Sequence, residues 1–359
     1  MKYTKEELCL IWLDSFIGLE YKHKKEIYKT IVSSSKIKDA IVSLRAVIVN
    51  NIGENEYNLL LNSATDEYLK FVLTSLEKSG VKVVTIYSKD YPNALKEIEL
   101  PPLVLYAKGN TALLNEKCFS IVGSRRASES AKAFTREIVK ELTSAKITLV
   151  TGTADGIDAS VIKSCLEQNA PVIVVVAGGF EHIYPQTNVE LLERAKEIGL
   201  LISETPPSVK PMPYFFPIRN RIIAGLSVGT LVASAGLKSG ALYTAEYAVS
   251  FGRDLFAVPY GIGVKSGEGS NDLIKKGALL TDKAQDILDY YGLKSVKKED
   301  NLTEIEKQIL ESLSNGELHI EVLAQKLNKQ PFELISTLQV LEIKGLVYKN
   351  GTNEYGSIK

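Results

Sequence analysis

From residue 118 the chain repeats one local pattern: a short apolar run, a turn containing glycine, and a segment with helical spacing. CFSIVG (118–123) leads into SESAKAFTREIVKELTSA (128–145), and ITLVTG (147–152) into GIDASVIKSCLEQN (156–169). PVIVVVAGG (171–179) leads into NVELLERAKEIG (188–199). LLISE (200–204), GTLVAS (229–234) and DLFAVPYG (254–261) read as further strands, and ALYTAEYAVSFG (241–252) as a further helix. The runs are apolar throughout rather than alternating, as strands covered on both faces require. The pattern predicts a Rossmann-like, doubly wound α/β domain with a mostly parallel sheet.

The chain has 359 residues, more than this domain needs. Residues 1–80 carry helical spacing in ELCLIWLDSF and YLKFVLTSLEKSG, with Gly80 as a stop, and predict a small helical (SAM-like) N-terminal domain. At VKVVTIYS (81–88) the pattern turns to a strand, and Pro92, Pro101 and Pro102 forbid a continuous helix after it. The binding domain is placed at 81–293 and a hydrophilic linker, KSVKKEDN, at 294–301. Residues 302–359 read as three helices and a hairpin, the outline of a winged helix-turn-helix, with a Thr303–Glu306 capping box and an Asn350-Gly351 turn.

Charge narrows the partners. Lys+Arg and Asp+Glu both number 43, which argues against a uniformly basic coat or a polybasic membrane binder and leaves room for a local patch. Residues 1–80 are neutral, 81–301 are +2 and 302–359 are −2. The candidate recognition helix of the tail holds Glu333, Glu342 and only Lys344, which favours a protein-interaction or dimerisation role there over DNA reading. Cys9, Cys118 and Cys165 are far apart and form no CxxC pair; Cys118 and Cys165 read as buried thiols. The histidines are scattered, so no metal site or cofactor is expected. The first residues do not read as a signal peptide, and VIVVVA (172–177) is too short to span a bilayer. The expectation is a soluble, cytoplasmic protein without a membrane partner.

The chemistry gathers at the glycine turns IVGSRRAS, VTGTADGID, VVAGGFEHIYP and SAGLKSGALYTA. In doubly wound sheets, ligands bind beyond the carboxyl ends of the strands. Glycine lets backbone approach a phosphate, and the N–H groups of a following helix hold it. None of the turns fits GxGxxG or GxxxxGK[ST], which weakens NAD and P-loop readings. Arg125 and Arg126 follow the first strand, where a guanidinium fork suits phosphate. PYFFPIRNRIIAGLS adds Phe215, Phe216, Arg219, Asn220 and Arg221, and aromatics beside arginines can stack bases and neutralise a single strand. One of the two phenylalanines is expected in the core. Asp158 either caps its helix, the favoured role, or orients the loop or a ribose hydroxyl. Ser239, Gly240 and Thr244 either hold an anion or cap a helix, and both readings stay open. His182 is expected to be structural, Glu204 is a lone carboxylate at a strand end, and Lys275 and Lys276 are expected on the cleft face.

In order and spacing, SIVGSRRAS, TGTADGID, FFPIRNRIIAGLS, KSGALYTAEYA, GRDLFAVP and NDLIKKGA resemble the DNA processing protein A (DprA/Smf) family. The preceding DYPNALKEIELPPLVLYAKGN resembles the segment that leads into the family's Rossmann-like domain, so the match covers about residues 81–290. The resemblance implies a homodimer that binds single-stranded DNA in a basic pocket, protects it, hands it to a RecA-type recombinase during natural transformation, and catalyses no hydrolysis. It makes Arg125 a pocket arginine, places Phe216, Arg219 and Arg221 in a second DNA-contacting block, and has Gly123, Ser124, Ser239 and Gly240 shape the phosphate-holding loops.

Three positions depart from the family pattern, making this a divergent member. Asp155 stands where a basic residue is usual, Val161-Ile162 where an Ala-His pair is, and Ser234 ends a strand that usually closes with Glu-Ala. An acid at 155 near the pocket is expected to weaken phosphate binding. The alternative is a nucleotide-binding enzyme or sensor akin to the phosphoribohydrolases. AGLKSGALYTAEYA keeps a Gly, a Thr and Glu246 but lacks the PGG start of their PGGxGTxxE loop.

Overall fold

Strands and helices alternate as expected in the computed structural model, which describes residues 3–16, 21–33, 37–294, 302–314, 316–343, 345–351 and 353–357. Of the expected linker only Lys294 is described, and Lys344 also lies outside the described residues. The chain divides into two compact units, Met1–Ser295 and Val296–Lys359.

The first unit opens with six helices: α1 (Lys5–Asp14), α2 (Tyr21–Ser33), α3 (Ile37–Ser43), α4 (Arg45–Ile52), α5 (Glu54–Ser63) and α6 (Asp66–Lys78). Then come β1 (Lys82–Thr85), α7 (Asn93–Lys96), β2 (Val104–Gly109), β3 (Cys118–Gly123), α8 (Glu129–Ser144), β4 (Thr148–Thr151) and α9 (Ile157–Glu167). They are followed by β5 (Val172–Val175), α10 (Val189–Ile198), β6 (Leu200–Ser203), α11 (Phe215–Leu226), β7 (Gly229–Ser234) and α12 (Ala241–Ser250). The unit closes with β8 (Asp254–Ala257), α13 (Glu268–Lys275), β9 (Leu279–Leu280) and α14 (Ala284–Tyr290).

The nine strands form one sheet in the order β1-β2-β6-β5-β4-β3-β7-β8-β9. From β6 to β9 all neighbours are parallel, while β1 and β2 extend the sheet antiparallel at the β6 edge. The chain winds outward from β3 through β4 and β5 to β6, then returns to the other side of β3 as β7. The crevice of a doubly wound sheet opens where strand order reverses, here between β3 and β7. The two strands are knitted beyond their ends: Ser124 N–H donates to the Ser234 carbonyl at 2.7 Å, past a register shift at Val122/Gly123. Burial agrees with the apolar runs, since every residue of β4, β5, β6 and β7 is buried.

The N-terminal helices pack on this sheet. Cys9 to Leu13 of α1 share one apolar cluster with Val83, Tyr106 and Phe119 from the strands. Thr4 caps α1 in a reciprocal box with Glu7, whose Oε1 also accepts the Ser88 hydroxyl at 2.5 Å. At the other end of α1, Asp14 accepts the Tyr106 hydroxyl at 2.9 Å and pairs with Lys24 at 2.6 Å. Burial pushes the thiols of Cys9, Cys118 and Cys165 up to about 12, leaving them protonated and poor nucleophiles, as expected of buried thiols.

The second unit runs α15 (Glu304–Leu313), β10 (Leu318–His319), α16 (Ile320–Lys326), α17 (Pro331–Ile343), β11 (Val347–Asn350) and β12 (Glu354–Ser357). Its strands form an antiparallel sheet in the order β10-β12-β11 over a core that includes Ile309, Leu323, Leu338 and Tyr355. The Thr303–Glu306 capping box is present as expected, and β10 is a strand beyond the expected hairpin. Among the described residues, no helix is long and apolar enough to cross a membrane.

Candidate functional site

A cavity of about 970 Å³ opens at the β3/β7 crevice. Its lining comes from the β3–α8 turn (Gly123, Ser124, Arg125, Arg126), the start of α9, one face of α11 and the β7–α12 turn. Five cations line it, Arg125, Arg126, Arg219, Lys238 and Lys265, against the single carboxylate of Asp158. Arg125, Arg126, Lys238 and Lys265 are exposed, and no ion pair holds any of them among the described residues. Such convergence in a concave wall raises the local positive potential and favours an anion.

The turns are held open by backbone that tolerates no side chain. Gly156 sits at φ +80°, and a Cβ there would run into the Ser124 carbonyl and stand 2.6 Å from that of Arg125. The second turn thus braces the arginine-bearing first turn, and Ile157 N–H donates to Ser124 O at 3.2 Å. Gly156, not Asp158, occupies the cap position of α9, with no side-chain bond there. Asp158 instead accepts the Ala154 N–H at 3.2 Å, so it fixes the loop rather than capping the helix.

Arg219 and Asp158 meet beside Gly152, where a Cβ would stand 2.5 Å from Asp158 Oδ2 and 2.9 Å from Arg219 Nη2. Burial pushes the Asp158 carboxyl up to about 6, against the opposing pull of Arg219. Burial also lowers the Arg219 guanidinium to about 10, so it stays charged at neutral pH. Its Nη1 donates to the Val175 carbonyl and its Nε to Asn220 Oδ1 at 3.1 Å. Asn220 in turn bonds the Gly240 carbonyl at 3.3 Å, tying α11 to the start of α12.

Neither Phe215 nor Phe216 enters the core, contrary to expectation; both are half-buried in the first turn of α11, where Pro217 is tolerated. The Phe216 ring lies 5.8 Å from the Arg125 guanidinium and meets Tyr184 edge-on at 5.8 Å, forming an aromatic and cationic wall. Ser239, Gly240 and Thr244 line the cavity at the N-terminus of α12. The Thr244 hydroxyl is buried and finds no hydrogen-bond partner among the described residues.

Of the expected residues, Gly123, Ser124, Arg125, Phe216, Arg219, Asn220, Ser239 and Gly240 come together here. Arg221 does not: it turns away from this cavity and pairs with Glu204 at 2.5 Å. Lys275 is exposed and outside the lining, and Lys276 pairs with Asp272; Lys238 and Lys265 take the place foreseen for them. Lys238 had a visible signal, its position inside the glycine turn; Lys265 had none. Asp155 is also absent from the lining, its carboxylate accepting Thr187 Oγ1 at 3.0 Å and Asn188 Nδ2 at 3.3 Å. Glu246, the residue on which the enzyme alternative leaned, is exposed on α12 and does not line the cavity.

Residues 82–292, more than half of the chain, match the family model of DNA recombination-mediator protein A. The chain belongs to this family. It is 36% identical over 256 residues to DNA processing protein DprA of Bacillus subtilis, covering 70% of this chain and 86% of that one. To Protein Smf of Escherichia coli it is 32% identical over 285 residues, covering 76% of each. The X-ray structure of DprA from Streptococcus pneumoniae superposes with a TM-score of 0.68 at 29% identity, over 80% of this chain and 98% of that one. DprA from Helicobacter pylori, whose structure describes a single-stranded DNA binding mode, matches with a TM-score of 0.54 at 27% identity, over 59% of this chain and 95% of that one. The family match spans every residue that lines the cavity, from β3 to the β8–α13 loop.

Proposed function

We propose that this chain is a single-stranded DNA-binding recombination mediator that catalyses no reaction, protects incoming DNA and loads a RecA-type recombinase during natural transformation, acting as a homodimer. The observation that carries it is the cavity at the strand-order reversal, where five cations face one carboxylate beside an aromatic wall. A phosphodiester is the anion that uses all of its parts. The hydroxyls of Ser124 and Ser239, on the two glycine turns, and the N-terminus of α12 receive phosphate oxygens. Arg125 and Lys265 neutralise the strand, and Phe216 offers a ring face to a base. The H. pylori relative's DNA-binding structure supports the same reading. Asp158 is committed to Ala154 N–H and to Arg219, which leaves the cavity without a free acid for nucleoside hydrolysis.

We read residues 1–80 as the helical adaptor, 81–293 as the DNA-binding domain, 294–301 as linker and 302–359 as a winged helix. Phe332, Ile335 and Val340 of α17 are exposed apolar residues, which supports a protein partner rather than DNA for the last unit.

Fluorescence anisotropy of a labelled oligothymidylate tests the core of this proposal. Wild type binds with steep salt dependence. Arg125→Ala, which removes an exposed side chain, weakens binding at least tenfold and lowers the salt slope by about 1. Equal binding by the two proteins overturns the assigned cavity, and release of free base from a nucleoside monophosphate restores the enzyme alternative.

A further inference from the structure

A second cavity of about 590 Å³ lies along another face of α11. We propose that it is a nucleoside site that reads a nucleobase edge, separate from the cation-lined cavity and independent of any DNA bound there. Arg219 is the one lining residue the two cavities share. The volume falls within the span of small-molecule sites.

The polar end is the Arg221–Glu204 pair. Arg221 is 5% exposed, and its Nη2 lies 2.5 Å from both carboxylate oxygens of Glu204. Its Nη1 is buried and has no acceptor among the described residues. A guanidinium N–H stripped of water in this way calls for an oxygen or ring nitrogen. The Glu204 carboxylate, 28% exposed, keeps lone pairs beyond those used by Nη2. Arg221 and Glu204 both line the cavity, so its wall holds an unpaired guanidinium N–H beside a partly exposed carboxylate. Every nucleobase carries the complement, an acceptor adjacent to an N–H, on its pairing edge.

The walls suit a flat ring. Phe215 lines one part, and Tyr247 and Phe251, stacked at 5.7 Å and 21°, line another. Aromatic faces hold bases by stacking, whatever their sequence. The charge of the lining selects against a phosphate. Three cations face three carboxylates, so this cavity has no surplus positive charge, whereas the first has a surplus of four. A neutral nucleoside fits the balance, with its sugar toward the rim at the exposed Ile218.

Saturation-transfer NMR on the full chain tests the site, with the four deoxynucleosides as probes and indole as a ring that lacks the acceptor–donor edge. At least one deoxynucleoside gives transfer and a saturable titration, at least tenfold tighter than indole. Ile218→Trp narrows the rim from an exposed position; it weakens nucleoside binding at least tenfold while its melting curve and oligonucleotide anisotropy stay those of wild type. Arg125→Ala keeps nucleoside binding, which separates this site from the proposed DNA cavity. The proposal is overturned if no deoxynucleoside gives transfer, if indole binds equally well, or if Arg125→Ala abolishes binding that Ile218→Trp retains.

Discussion

Arg219 and Arg221 stand two positions apart on α11 and are almost equally buried, at 7% and 5% exposure. Their surroundings divide them. Arg219 lies beside a carboxyl that burial pushes up to about 6, and part of its positive field reaches the large cavity. Arg221 meets a carboxylate head-on at 2.5 Å, and little net charge is left to project. In a sequence both are arginines beside phenylalanines; the partner carboxylate decides whether such a side chain adds to a cavity's positive field or closes an ion pair.

The largest way to break this contrast is Arg221→Ala. It leaves Glu204 facing a buried wall without its partner, and loss of one member of a buried pair costs about 3 kcal/mol. Urea unfolding will show the midpoint fall, while oligonucleotide affinity, measured on the folded fraction, stays that of wild type. If affinity falls instead with stability untouched, the roles of the two arginines are reversed.

Phe216→Ala acts on the Arg219 side. It removes a stacking face worth about 2 kcal/mol per base and leaves the melting temperature near wild type, because the ring is only half-buried. A smaller effect comes from pH. The Asp158 carboxyl, with an ordinary value of 3.8, is pushed up to about 6. Lowering pH from 7.5 to 5.5 protonates it and removes the one negative charge of the cavity, so single-strand affinity rises a few-fold; Asp158→Asn makes the profile flat. The stability sign follows from the same shift. Between about 3.8 and 6 the folded protein holds a proton that the unfolded chain has released, so this group's contribution falls as pH rises through that window and is constant above it. The smallest expected effect separates two lysines: Lys265→Ala lowers the salt slope by about 1, and Lys275→Ala leaves it unchanged.

Much of this was legible from residues. GTLVAS reads as a strand at 229–234 and β7 has those bounds, because six apolar or small residues between turns have one good place in a doubly wound sheet. The glycine turns marked where the cavity lies. The helical start at Phe215 was not legible, since FFPIRN mixes aromatic, proline and charged residues without a clean period. The same blur hid which arginine faces which cavity, a rotation of 200° for two residues along a helix. Lys265 and Lys275 both precede small or basic residues late in the domain, and nothing local distinguishes the one that lines the cavity from the one that does not. Asp155 reads as a liability beside the pocket, but Thr187 and Asn188 hold its carboxylate elsewhere.

Local chemistry in the sequence determined the elements, their order and the glycine turns, because apolar runs, helical spacing and backbone freedom are properties of neighbouring residues. Strand order belonged to the tertiary structure. Only the return of the chain to β3 as β7 brings residues 123–126 and 236–240 to one crevice, since pairing across more than a hundred positions leaves no local trace. Electrostatics followed the same division. Residues 81–301 carry a surplus of two positive charges, yet the cavity they build carries four, because charge acts through distance in space and the acids that balance the count point elsewhere.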